Sequence, residues 1–318
     1  MTSSAKAVSN PLPVAPAIGS ERVGALLVLL SAVAWSSSGT LALYLVHLPG
    51  WAVVFWRTLW AAGFLFGFMV WRDGLSGTLA LFRRMGLPGV AVAVCFGIAS
   101  ASFVLAVSLT TVANIVLIQA GVPLIAALLA FVLFRERVAL PTWIAIAAVI
   151  SGVAVMVSDS FAGGGSVAGN GLALLIAVCF AVATVMTRRF SHVRMTPASC
   201  LGMLLTALFA ATQAPSLSVG TSDFALLAGF GALNLGLGLA LFASGARLIP
   251  AALAALLGTM ETVLSPIWVW LIHDQVPASR TLIGGAIVFA ALLLHLGLEF
   301  ARQRRPQKPG TTGVNLPQ

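Results

Sequence analysis

The chain is poor in charge. Only 8% of its 318 residues are Asp, Glu, Lys or Arg, while 60% are hydrophobic, and the mean hydropathy is +1.06. A water-soluble protein of this length cannot cover its surface with so few charges. Lipid is therefore the expected solvent for most of it. Cysteine is also scarce. Cys95, Cys179 and Cys200 are an odd number of thiols inside apolar stretches, which excludes a disulfide framework. No Cys/His spacing suits a metal, and no phosphate-binding GxxxxGK loop points to ATP coupling. The four histidines are scattered, with only His295 inside an apolar stretch. No two acidic residues stand at helical spacing within one such stretch, so an intramembrane enzyme lacks its acid–base cluster. No catalytic residue, cofactor or metal is expected.

What the chain has is apolar length. Ten stretches are long enough for helices crossing the bilayer core, which takes about 20 residues each. They run 23–46, 51–71, 88–108, 112–134, 139–157, 169–187, 196–214, 223–245, 250–272 and 280–300. Helix is the expected state, because lipid offers backbone groups no partners, and the stretches are about twice the length of a barrel strand. Trp51 and Trp71 bracket the second, as interfacial aromatics do.

Basic residues fall in alternate loops. The N-terminal tail, 72–87, 135–138, 188–195, 246–249 and the C-terminal tail hold 15 of the 17 Lys and Arg. Loops 47–50, 109–111, 158–168, 215–222 and 273–279 hold none. Cytoplasmic loops keep Lys and Arg during insertion, so both tails are expected in the cytoplasm. This topogenic bias also explains the net charge of +9 and pI near 11.2, and nucleic acid is not an expected partner. Residues 1–22 form a Pro-, Ala- and Ser-rich cytoplasmic tail, and 301–318 form a basic one.

The chain also repeats itself. A shift of 138 residues lays spans three to five over eight to ten, placing Ala113 on Ala251, Phe103 on Leu241 and Glu136 on Asp274. A shift of about 145 puts Gly24 on Gly169 and Trp35 on Phe180. The Gly-rich segment 158–168 is the expected linker between repeats 23–157 and 169–300. Five spans per half insert the halves in opposite senses, a common transporter plan with the substrate site between repeats. The expected fold class is an all-α polytopic membrane protein of two inverted five-helix repeats.

Several segments carry a family resemblance: LLSAVAWSSSGTLALYL in the first span, FWRTLWAAGFLF in the second and FVLAVSLTTVANIVLIQAGVPLIAALLAFVLFRERV through the third and fourth. ALFASGARLIPAALAALLGTMETVLSPIWVWLIHDQV is the counterpart in the second half. Together, over roughly residues 23–300, they resemble the drug/metabolite transporter superfamily, specifically its ten-span EamA-type permeases. The resemblance implies a bacterial inner-membrane carrier, an exporter of amino acids or other small metabolites, with lipid and a small-molecule substrate as partners. A homodimer is compatible with it. The sequence departs from the family pattern at Asp274-Gln275, where Glu followed by a basic residue is usual.

Polar residues at depth are the candidate site. Glu261 lies about 16 Å from the inner end of the ninth span at 1.5 Å per residue. A charge there costs at least ~2.5–3.5 kcal/mol on insertion scales. It is the candidate for coupling, or for contacting a substrate ammonium; the alternative is a permanently protonated or paired structural group. Arg57 lies about 9 Å inside the second span; its guanidinium suits a carboxylate, and snorkelling is the competing reading. Gln119, Asn234, Asn114 and Ser38 are cavity candidates, against helix-to-helix bonding as the plainer role. Trp35 and Phe180 are candidate walls for an apolar or aromatic group. Pro123 and Pro266 are candidate hinges. A channel or lipid scramblase on a similar fold is the alternative function.

Overall fold

The computed structural model describes residues 18–45, 47–110, 115, 118–135, 138–158, 166–274 and 279–303. Every described element is helical. The first span is α1 (Ile18–Ser36) and α2 (Ser38–Tyr44), broken at Ser37; the second is α3 (Gly50–Arg84) and the third α4 (Gly86–Leu109). The fourth contains α5 (Val122–Phe134) and the fifth is α6 (Leu140–Val157). In the second half come α7 (Val167–Arg189) and α8 (Thr196–Gln213). The eighth span joins α9 (Thr221–Gly229), a π-helical segment Phe230–Gly236 and α10 (Leu237–Gly245). The ninth is α11 (Ala251–Gly258) and α12 (Met260–His273), broken at Thr259, and the tenth is α13 (Ser279–Gln303). Five of these runs are long and apolar enough to cross a membrane, and shorter apolar helices lie in spans 4, 5 and 10. The chain is an all-α polytopic membrane protein.

The helices pair by a rule. Span 2 packs on 7, 5 on 10 and 4 on 9. Span 3 packs on 6 as 1 packs on 8, span 3 on 7 as 2 on 8, and span 4 on 6 as 1 on 9. Exchanging each span for its counterpart five places on reproduces the same set, which is the signature of a pseudo-two-fold axis between inverted repeats.

The close approaches obey the same rule. A Cβ on Gly24 would lie 2.7 Å from Leu248 Cβ, and one on Gly169 2.7 Å from Thr110 Cβ. Gly24 and Gly169 are 145 residues apart, Thr110 and Leu248 138 apart. Likewise a Cβ on Gly202 would strike the Ala93 carbonyl, and one on Gly231 the Arg57 carbonyl. Small residues let helix backbones meet in a membrane, where packing rather than apolar burial drives association. The core is accordingly rich in alanine, while Leu26, Phe131, Leu208 and Leu294 stand on the lipid-facing outside.

Three details differ from the sequence reading. Residues 72–87, expected as a loop, are largely helical: α3 runs 35 residues, turning at Gly74 with φ 69°, which glycine adopts without steric cost. The breaks in spans 4 and 9 come at Gly121 and Thr259, again 138 residues apart, not at the prolines. Pro123 sits in the first turn of α5, where its missing N–H costs no helical bond; Pro266 lies seven residues past the Thr259 break, within α12. Finally, Arg280, just beyond loop 273–279, puts a guanidinium on the face opposite the basic loops, donating to Ser158 Oγ at 3.2 Å. Asn114 and Glu136 lie outside the described residues.

Candidate functional site

The break in span 1 is a consequence of its three serines. Serine hydroxyls bond to carbonyls three residues back and compete with the helix. Ser36 and Ser37 do this here, to Val33 O at 2.6 Å and Ala34 O at 3.0 Å. The carbonyls in the last turn of α1 then need other partners. Asn234 supplies one: its Nδ2 donates to Ala34 O at 2.6 Å and to Ser37 Oγ at 3.0 Å. Ser38 Oγ in turn donates to Asn234 Oδ1 at 3.0 Å. Trp268 of span 9 closes the junction, its indole N–H donating to Ser36 Oγ at 2.7 Å.

Asn234 reaches span 1 from the middle of the π-helical segment. Such segments are rare and concentrate at functional sites. Glycines bring this one against span 2, Gly231 on the Arg57 carbonyl and Gly236 beside Phe64. Ser38 and Asn234, candidates from the sequence, are thus brought into direct contact, and Asn234 is buried.

Two residues before the break, Trp35 heads an aromatic cluster. Its ring is 5.9 Å from Phe180, edge-on, and 5.6 Å from Phe242; Phe180 also meets Phe96 at 6.0 Å. Trp35 and Phe180, matched by the repeat, therefore touch across the halves. Among the described residues the buried Trp35 indole N–H has no hydrogen-bond partner. It lies where a Cβ on Gly238 would be, so that position accepts only glycine while the indole stays in place.

Arg57 and Glu261 form the ionisable part. The Arg57 guanidinium carbon sits 4.5 Å over the Phe230 ring, a cation–π contact, and its buried Nε has no hydrogen-bond partner among the described residues. Glu261 opens α12 in the first turn after the Thr259 break, where the helix dipole favours negative charge. Each of the two lies within range of the other's charge. They are not among the ion pairs closer than 4 Å between described residues. Gln119 stands half-buried two residues before the matched Gly121 break.

Sequence reading missed Trp268, Phe230, Phe242 and Phe96. Trp268 carried a signal, since an indole N–H inside a span must find a partner. The phenylalanines carried none, because phenylalanine is ordinary in a lipid-facing helix. Also unforeseen are two ion pairs joining the halves on opposite faces. Asp73 accepts from Arg194 Nη1 at 2.7 Å on the basic face, and His47 meets Asp223 at 3.0 Å on the other. Among the described residues no group of His, Cys, Asp and Glu is arranged to hold a metal ion.

A groove of about 590 Å³ between spans 2 and 7 is open to the outside and lined by Trp56, Trp60, Phe66, Phe82, Leu201 and Leu204 among others. It is nearly all apolar, as a surface turned to lipid would be.

Comparison with known proteins agrees with this architecture. A solved structure, titled only as the crystal structure of a protein, superposes with a TM-score of 0.75 over 89% of this chain and 99% of its own. At 19% identity it speaks for the fold alone. No curated protein matches the chain. The model of the EamA-like transporter family matches twice, over residues 22–158 and 167–297, once on each half of the pseudo-symmetric bundle. With both halves matched, the chain belongs to the EamA-like transporter family, membrane transporters of the drug/metabolite type.

Proposed function

We propose that the chain is a secondary transporter that exports small amphiphilic metabolites, amino acids foremost, across a bacterial inner membrane by alternating access. Both tails face the cytoplasm in this reading, as the basic loops require. The observation that carries it is the matched pair of helix breaks, Gly121 in span 4 and Thr259 in span 9, in two spans that pack on each other. Broken helices facing one another across inverted repeats are how such carriers build a central site from half-helix ends. Glu261 starts one of those half-helices, and Arg57 brings a guanidinium nitrogen without a hydrogen-bond partner among the described residues. Two opposite charges held near each other without direct contact suit a ligand bearing both an ammonium and a carboxylate. The aromatic cluster around Trp35 supplies apolar surface for its remainder.

The test is flux. Purified protein in liposomes is loaded with unlabelled amino acids and exposed to trace label. Saturable uptake with counterflow is expected for a carrier. Absence of flux for every amino acid, sugar-like metabolite and lipophilic drug tried sinks the proposal. Flux that never saturates identifies a pore instead.

A further inference from the structure

A second group of charges lies far from the candidate cavity, where the basic loops gather. Arg194 Nη1 donates to Asp73 Oδ1 at 2.7 Å, and Arg72 Nε is 3.6 Å from Asp73 Oδ2. Arg188 Nη1 donates to the Arg247 carbonyl at 3.1 Å. Burial first, and the neighbouring Arg72 charge second, hold the Arg247 pKa below its ordinary value. Two guanidiniums, those of Arg72 and Arg194, therefore meet the Asp73 carboxylate, and two more, those of Arg188 and Arg247, stand beside them. Among the described residues, two of their nitrogens, Arg247 Nε and Arg194 Nη2, are buried with no hydrogen-bond partner, as is Asp73 Oδ2.

Topogenic charge alone does not account for this. An arginine that only sets orientation can keep its head in water, as exposed Arg83 and Arg84 do. Burying guanidinium nitrogens unpaired is costly, and placing them near one another adds repulsion. An anion among them offsets both.

The surroundings say which anion. Trp71, just before Arg72, is 81% exposed, and Leu75 and Leu79 are 57% and 54% exposed. Between them Gly74 turns the helix with its left-handed φ. A tryptophan followed by a turned helix displaying leucines marks the membrane–water interface. The arginine cluster thus stands at headgroup depth, where phosphodiesters are the abundant anions and basic pockets between helices take them.

We infer that Arg72 and Arg194, at Asp73, together with Arg188 and Arg247 beside them, form a binding site for the phosphodiester headgroup of an anionic lipid. The leaflet, the cytoplasmic one, rests on the orientation proposed above; the site itself does not. The lipid would tie the end of span 2 to the 6–7 and 8–9 loops, and so join the two repeats on this face.

Thermal melts of the full chain in detergent test this, with phosphatidylglycerol, phosphatidylcholine or inorganic phosphate added separately. Phosphatidylglycerol is expected to raise Tm by about 3 °C or more, and the other two to leave it unchanged. The double variant Arg188→Gln/Arg247→Gln should lose most of that rise. Arg83→Gln, which removes one exposed charge from the same face, should keep it. An equal rise with phosphatidylcholine, an equal loss in Arg83→Gln, or the full effect from inorganic phosphate overturns the proposal. If the double variant does not fold, native mass spectrometry of Arg247→Lys replaces it. Loss of retained phosphatidylglycerol supports the site, and retention equal to the parent overturns it.

Discussion

Two helix crossings occupy equivalent places in the repeat and are built from opposite materials. Where span 1 meets span 8, Ser36, Ser37 and Ser38 face Asn234; the first helix is broken and the second is π-helical. Where span 6 meets span 3, the counterparts are Ala181, Val182 and Ala183 with Phe96, and both helices run unbroken. The backbone plan is shared, down to Gly24 on Leu248 and Gly169 on Thr110. Hydroxyl and amide groups compete with the helix for its own carbonyls and apolar side chains do not. The lesson is that the fold repeats while its chemistry is asymmetric, with the polar crossing kept in one pair only.

A similar contrast separates spans 4 and 9. Both break at the same repeat position, but two residues later one carries Pro123 and the other Glu261. Each residue suits a helix's first turn, proline by lacking the N–H and glutamate by its charge. Only the second can bind a cation.

These contrasts can be broken by mutation. The largest effect is expected where backbones touch. Gly231→Leu would drive a side chain into the Arg57 carbonyl and Trp60. It should cost more than about 3 kcal/mol and abolish a monodisperse peak in size-exclusion chromatography. Gly67→Leu, with nothing near its Cβ, should leave that peak intact.

Next comes the comparison of the two breaks. Glu261→Gln should lower proteoliposome flux about tenfold, worth some 1.4 kcal/mol, and flatten its pH dependence. Pro123→Ala, at the matched position, should retain both. Unchanged flux and pH dependence in Glu261→Gln would remove this residue from the mechanism.

Asn234→Leu severs the polar crossing. Three hydrogen bonds averaging about 0.6 kcal/mol each in a membrane protein predict a loss of about 2 kcal/mol, read as a lower Tm. Converting Ala183 to Ser in the apolar crossing should change Tm less, because no amide waits opposite it. The smallest effect is expected at the exposed ion pair His47–Asp223. Asp223→Asn should shift stability by no more than about 0.5 kcal/mol, since surface pairs contribute little. Asp73→Asn, which weakens the part-buried 2.7 Å pair with Arg194 Nη1, should cost more in the same assay.

Much of the fold was legible from the chain. Apolar length marked the spans, and two shifts, 138 and 145, aligned the halves well enough that structural close approaches obey them. Trp35 and Phe180, paired by the repeat, do touch. The site was less legible. Glu261 and Arg57 stood out because charge at depth is rare, yet nothing local brings a residue of span 2 near one of span 9. Trp268 reaching Ser36, and the aromatic neighbours Phe242 and Phe96, depend on crossings between halves more than 60 residues apart in sequence. The helical stretch after Trp71 was misread because its arginines resemble a loop, whereas glycine at 74 lets the helix turn and continue along the interface.

The sequence by itself determined the solvent, the number of spans, the repeat and the sign of charge on each face. These follow from transfer free energies and periodicity, which act residue by residue. Tertiary structure alone decided where helices break and which side chains meet. The break in span 1 needs Asn234 and Trp268 to satisfy the groups it frees. The break in span 9 brings Glu261 within range of the Arg57 charge only across the bundle, and the arginine cluster exists only because three separate segments converge. Each depends on a partner distant in the chain, and in a lipid interior an unsatisfied polar group is too costly to stand without one.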